Sequence, residues 1–255
     1  MSLLLIISQL DTLPFFFVLA GSFLPALLWL WFWLREDKAR PEPPIMLILT
    51  FFGGMASVFT AIVAQNFLAK HNINSGSFPT ILLYVATEEL SKFFFAYIIA
   101  LRSRSDDEPI DPIIYMIASA LGFSALENAL FITGSFLETG GAAGVTIGIL
   151  RFLGATLLHI LASSAIGIGI GLAFYKKSGA KFIYTVLGTA AAIALHASFN
   201  LLIIGYGDSG SLYVLLFVFA PFWAAMLGLI LCFELVKKVS PFPTYIHPPQ
   251  PLVIK

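Results

Sequence analysis

Seven apolar stretches, each about as long as a bilayer is thick, leave few folds open to this chain. They run Phe15–Leu34, Pro44–Leu68, Phe78–Leu101, Pro112–Thr133, Val145–Tyr175, Phe182–Ile204 and Leu212–Val236. An α-helix rises 1.5 Å per residue, so roughly 20 residues cross about 30 Å of hydrocarbon. Membrane β-strands would read as ~10-residue alternating segments, and these stretches do not alternate. Only 11% of the 255 residues are charged and 59% are hydrophobic, against about 25% charged in soluble domains. The expected fold class is an all-α integral membrane protein, a polytopic bundle of about seven transmembrane helices lodged in the cell membrane as a multi-pass protein.

The loops orient the bundle. Arg35, Lys38 and Arg40 follow the first stretch, Arg102 and Arg104 the third, and Lys176, Lys177 and Lys181 the fifth. Lys237, Lys238 and Lys255 follow the seventh, whereas the alternate connections hold only Lys70. This positive-inside bias predicts an N-terminus outside and a cytoplasmic C-terminus. No Lys or Arg precedes Arg35, so no cleavable signal peptide is expected, and Met1–Leu10 reads as an outer interfacial segment. Residues 1–239 form one membrane domain, and 240–255, with five prolines among sixteen residues, form a Pro-rich cytoplasmic tail. Fourteen basic and fourteen acidic residues cancel, which by itself argues neither for nor against nucleic acid; no nucleic-acid partner is expected. The single cysteine, Cys232, excludes an intramolecular disulfide and a Cys-based zinc cluster.

Several polar residues interrupt the apolar stretches: Glu88, Glu89, Lys92, Glu127, Asn128, Arg151, His159, His196 and Asn200. A charge at the bilayer centre costs about 2.5–3.5 kcal/mol even on insertion scales, so each needs a partner or a wet cavity. Glu88 and Lys92 are four apart and share a helix face, with Glu89 offset by one position. His159, Ser163, Gly167 and Gly171 follow one i+4 line, and Gly188, Ala192, His196 and Asn200 another. Ser119, Phe123 and Glu127 form a third such line. Small residues let helices approach closely, so the histidine faces are the packed interior faces. Counted from the outer ends of their spans, Glu127, His196, Glu88 and His159 lie at depths of roughly 9, 12, 15 and 20 Å. Separate helices therefore aim carboxylates and imidazoles at one buried spot.

Other polar residues have simpler readings. Lys92 serves as counter-ion to a neighbouring carboxylate, and Asn128 and Asn200 can act as interhelical hydrogen-bond glue. Arg151, near an outer end, reads as an interfacial anchor or a partner for Glu138. Glu234 snorkels beside Lys237.

This residue set suits hydrolysis of a peptide bond. A desolvated glutamate can act as general base near neutral pH. Two histidines and a carboxylate are a known catalytic zinc set that leaves one position open; alternatively, histidine and asparagine can donate hydrogen bonds to an oxyanion without a metal. Spacing does not choose between these. No H-E-x-x-H or G-x-S-x-G motif is present, although Ser163 and Ser198 lie near the histidines by helical position.

At these residues the sequence resembles the PrsW family of intramembrane proteases. Glu88-Glu89-Leu90-Ser91-Lys92 fits that family's E-E-x-x-K, and Gly122 to Asn128 its G-F-x-x-x-E-N. His159 to Ser163 fits an H-x-x-x-small element, and His196 to Asn200 an H-x-x-x-N element. The Pro25–Leu30 stretch and the loop from Arg35 are also similar to the family's first span and loop. The resemblance implies a metalloprotease-like endopeptidase that cleaves a membrane-anchored regulatory protein, such as an anti-sigma factor, within or beside the bilayer. It implies that Glu88 or Glu89 activates water. It further implies that His159 and His196 bind metal, tentatively zinc, or polarise the carbonyl, with Asn200 and Glu127 completing the site and Lys92 and Asn128 in support. The sequence is also similar to the type II CAAX prenyl endopeptidases, with lysine in place of their arginine. The scaffold subunit of gamma-secretase is a further relative that keeps buried histidines without being a protease. The competing expectation is thus a non-catalytic multi-pass scaffold whose polar core supports helix packing or partner assembly. A third, an ion or proton pathway, is disfavoured because the cytoplasmic halves of the helices are mostly apolar.

Overall fold

Hydrocarbon offers no water to an open N–H or C=O, so each apolar stretch closes its own hydrogen-bond ladder as a helix. The computed structural model describes residues 12–36, 40–71, 77–139, 141–207 and 211–241, all helix and connection. The segment Met1–Leu10 and the tail from 242 onward lie outside the described residues. The described helices of ten residues or more are α1 (Thr12–Glu36), α2 (Pro44–Lys70), α3 (Phe78–Ala96), α4 (Asp111–Thr139), α5 (Gly141–Leu150), α6 (Thr156–Leu172), α7 (Ser178–Tyr206) and α8 (Ala220–Val236). Among the described residues three π-helical segments adjoin them: Tyr97–Leu101 ends α3, Arg151–Ala155 joins α5 to α6, and Val214–Phe219 leads into α8. Prolines stand in the first turns of α2 and α3, where the missing N–H costs no ladder bond.

Six described stretches are long and apolar enough to cross a membrane: Phe15–Arg35, Pro44–Lys70, Asp111–Glu138, Gly144–Leu172, Ser178–Tyr206 and Val214–Val236. The exception among the seven expected spans is the third, because α3 carries Glu88, Glu89 and Lys92 within its length. The molecule is an all-α polytopic bundle with six to seven long apolar helices.

Helix α4 is its axis. Of the most apolar window of α4, 83% is buried, against 22% for α1 and 28% for α7. The outer helices show Phe16, Phe52, Val63, Phe182 and Leu227 on their surfaces, as a hydrocarbon solvent requires. Where α2 crosses α4 the backbones touch. A Cβ on Gly54 would strike the Ser119 carbonyl, and one on Gly122 the Phe51 carbonyl. Helices α6 and α7 meet in the same manner, at Gly169 against Tyr184 and Gly188 against Ala165. The small-residue lines are therefore the packed faces, and they bring the polar side chains of α3, α4, α6 and α7 into one interior.

The basic connections gather at one end of the bundle. Arg40 Nε lies 3.0 Å from Glu108 Oε1, which joins the α1–α2 and α3–α4 connections. Asp111 Oδ2 accepts N–H bonds from Asp107 (2.8 Å) and Glu108 (2.6 Å), and the Tyr115 hydroxyl donates to Glu42. Lys237 pairs with Glu234 at 2.6 Å, as expected.

Candidate active site

Four helices bring every predicted site residue to one cleft; all but Asn200 join one of three small networks, to which a π-helical segment adds Arg151. The first centres on Glu89, which is fully buried. Its Oε1 accepts from Lys92 Nζ (2.5 Å) and lies 2.7 Å from His196 Nδ1, and its Oε2 accepts from Ser163 Oγ (2.8 Å). Of the two neighbouring carboxylates, Lys92 pairs with the i−3 one, Glu89, and not with Glu88. Both i−3 and i−4 neighbours are within reach on a helix, and Ser163 and His196 draw Glu89, not Glu88, to the buried side. Lys92, itself fully buried, also reaches His159 Nδ1 at 3.1 Å and sits 4.8 Å above the Phe123 ring. It is the counter-ion that sequence suggested.

The second network centres on Glu127. Its Oε2 accepts from Arg151 Nη2 and lies 3.0 Å from His159 Nε2. Arg151 Nε donates to Asn128 Oδ1 at 2.5 Å, and the guanidinium lies 4.1 Å over the Phe131 ring. Asn128 Nδ2 donates to Thr156 Oγ1 (3.1 Å) and Ser124 Oγ (3.3 Å), which is the interhelical role expected of it. Arg151 is therefore neither an interfacial anchor nor a partner of Glu138. It lies two i+4 steps before His159, on the line Arg151, Ala155, His159, Ser163, and that line was the available signal.

The third network is sparse. Glu88 Oε1 accepts from Gln65 Nε2 at 2.9 Å, while its Oε2, buried, has no hydrogen-bond partner. That oxygen lies 3.6 Å from His196 Nε2, too far for a hydrogen bond. Gln65 escaped the sequence reading, although Ser57, Ala61 and Gln65 form an i+4 line of small or polar residues on α2. Ser198 faces outward and donates to the Ala194 carbonyl, and Ser163 is committed to Glu89, so neither is placed as a nucleophile.

The two imidazoles lie with ring centroids 5.0 Å apart at 84°. Glu88, His159 and His196 each offer a ligand atom, all within 4.8 Å of one another. Two cavities meet at this spot. One, of about 500 Å³, opens past Gln65, Ile81 and Tyr84; the other, of about 470 Å³, passes Arg151, Leu158 and Phe219. Glu88, Glu127 and Asn200 line both. Asn200, one turn beyond His196, thus lines the place where the two cavities join.

A polytopic bundle with a cleft that exposes carboxylate, imidazole and amide groups inside the hydrocarbon span has the build of a membrane-embedded protease. Residues 42–226 match the PrsW family intramembrane metalloproteases. Protease PrsW of Bacillus subtilis (strain 168) is 28% identical over 74% of this chain and 83% of its own length. Protease PrsW of Geobacillus kaustophilus is 27% identical over 83% and 90%, and that of Clostridioides difficile 30% over 68% and 73%. No solved structure matches the chain. The chain belongs to the PrsW family, and it is a multi-pass membrane protease.

Proposed function

We propose that the chain is an intramembrane endopeptidase that hydrolyses a peptide bond of a membrane-anchored regulatory protein, with Glu88 as the carboxylate that acts on water. The observation that carries this is the approach of the unbonded Glu88 Oε2 to His196 Nε2. His196 Nδ1 faces the Glu89 carboxylate, which holds the proton on Nδ1 and leaves a lone pair on Nε2. Two acceptors then face each other at 3.6 Å in a buried place, and something that binds acceptors belongs with them: a water proton or a cation. A scaffold reading accounts for the saturated Glu89–Lys92 network but leaves this bare oxygen without a purpose.

The donors suit a metal. Two nitrogens and a carboxylate oxygen form a catalytic zinc set, and the carboxylate behind His196 is the usual outer support of a ligating imidazole. Glu88, His159 and His196 would hold the ion, with His159 giving up Glu127, which keeps Arg151. Zinc held there supplies Lewis acidity and a water that ionises near neutral pH. The chain's own residues do the rest. Where no ion is bound, Glu88 Oε2 takes the proton of the attacking water and returns it to the leaving amine; as a ligand it would instead hold the ion. The Asn200 amide donates to the oxyanion. Glu89, Lys92 and Ser163 fix the orientation of His196, and Glu127, Arg151 and Asn128 fix α4 against α6.

Seven spans with the N-terminus outside and the C-terminus cytoplasmic, residues 1–239 as the membrane domain and 240–255 as the tail complete the proposal, supported by the basic connections at one end. The family resemblance favours an anti-sigma-factor-like substrate. The test is reconstitution of the purified protein in liposomes with a single-pass reporter, with and without chelator, alongside Glu88→Gln. Cleavage that survives both chelation and Glu88→Gln would end the proposal.

A further inference from the structure

Three carboxylates surround the cleft, and each has a different escort. Glu89 has the Lys92 ammonium and Glu127 the Arg151 guanidinium, whereas among the described residues Glu88 takes its hydrogen bond from the neutral Gln65 amide and faces the His196 ring at 3.6 Å. Gln65 sits on α2, a helix that supplies none of the motif residues, and its Nε2 reaches both Glu88 Oε1 (2.9 Å) and the Tyr84 carbonyl (3.5 Å).

The choice of a neutral donor has a chemical consequence. A cation at this place would neutralise Glu88, compete with any metal and make the carboxylate a poor proton acceptor. An apolar residue would leave a long side chain free to rotate in the cleft, and fixing such a chain costs rotamer entropy. The amide avoids both. By holding Oε1 it fixes the plane of the carboxylate, and Oε2 is then directed at His196 Nε2 without a counter-charge.

We infer that Gln65 is a positioning residue of the catalytic centre, which orients Glu88 while leaving it uncompensated. This rests on the proposed role of Glu88. A glutamine acting only as glue between α2 and α3 would tolerate any residue that keeps the helices together, lysine included, since lysine would pair with Glu88. A positioning glutamine tolerates neither lysine nor methionine.

The test uses the full-length protein in detergent with Co²⁺ alone as probe, read by its visible bands and by competition with a chromogenic chelator. Gln65→Met keeps the length of the side chain and removes the donor; Gln65→Lys adds a charge. Loss of a residue that supports a metal ligand costs about 10- to 100-fold in affinity. That loss is expected in Gln65→Met at an unchanged melting temperature, with kcat on the single-pass reporter falling alike and KM within twofold. Gln65→Lys is expected to fold and to lose more, and either variant decides if the other fails to fold. Wild-type Co²⁺ affinity and turnover in a folded variant would overturn the role of Gln65 alone. If the wild-type protein neither bound Co²⁺ nor cleaved the reporter, the reading of Glu88 would fall first and Gln65 with it.

Discussion

The Nδ1 of His196 lies 2.7 Å from Oε1 of Glu89, and this contact separates the roles of two glutamates adjacent in sequence. Glu89 faces three partners and is wholly enclosed, so its carboxylate is spent on orientation. Glu88, turned about 100° away on the same helix, keeps one oxygen for the cleft.

Substituting the two glutamates should therefore give opposite results. Glu88→Gln keeps an acceptor for Gln65 and removes the free carboxylate. Its melting temperature is expected to hold while cleavage falls about 10²- to 10⁴-fold, the range of a lost general base. Glu89→Gln leaves the Lys92 ammonium buried without its counter-ion, which destabilises by about 3–5 kcal/mol. Thermal unfolding in detergent beside a cleavage assay checks both, and a stable Glu89→Gln would contradict the assignment.

Arg151 offers a test of the second network. Its guanidinium binds Glu127 and Asn128 at once, which a lysine, a single point charge, does not reproduce. Arg151→Lys is expected to cost about 1–2 kcal/mol, and Arg151→Met more, since Glu127 is then left with His159 alone. In a double-mutant cycle with Glu127→Gln, the coupling should exceed about 1 kcal/mol. Additive effects would mean that the pair does not form.

Much of this arrangement is written in helical periodicity. The lines through His159, His196 and Glu127 point at one interior because small residues on those lines allow contact, and the structure has them facing one another. Arg151 stands on the His159 line, but its nearness to a span end invited an interfacial reading, and only the packing of α4 beside it brings Glu127 within reach. Gln65 was hidden for another reason. One amide in an apolar helix carries no motif, and its partner is set by how α2 crosses α3.

Gly122 opens the G-F-x-x-x-E-N element, yet its task is spatial. A methyl group there would strike the Phe51 carbonyl, as one on Gly54 would strike that of Ser119, so α2 and α4 would have to part. Gly122→Ala is expected to cost at least the 1–3 kcal/mol typical of overpacking and to impair cleavage by moving Glu127. Gly134→Ala, on the same helix with nothing within 4 Å of the added carbon, is the control. It should be neutral or stabilising by about 0.5–1 kcal/mol. Equal melting temperatures for the two variants would refute the backbone contact.

A last prediction concerns pH and the opposite end of the bundle. Asp106, in the α3–α4 connection, has its Oδ1 buried without a hydrogen-bond partner. Burial first, then the negative charges of Asp111 and Asp107, raise its carboxyl from 3.8 to about 7, against the opposing pull of Lys181. The folded protein thus keeps this proton up to pH about 7, whereas the unfolded chain releases it near 3.8. Between these values the folded state holds more protons, so stability falls as pH rises, and the penalty is complete above about 7. Water at this partly exposed site screens the effect, which leaves a penalty on the order of 1–2 kcal/mol. Asp106→Asn removes the ionisation. Its melting temperature should exceed that of the wild type at pH 8 and match it near pH 4. A difference of the same size at both pH values would assign the effect to packing and not to the proton.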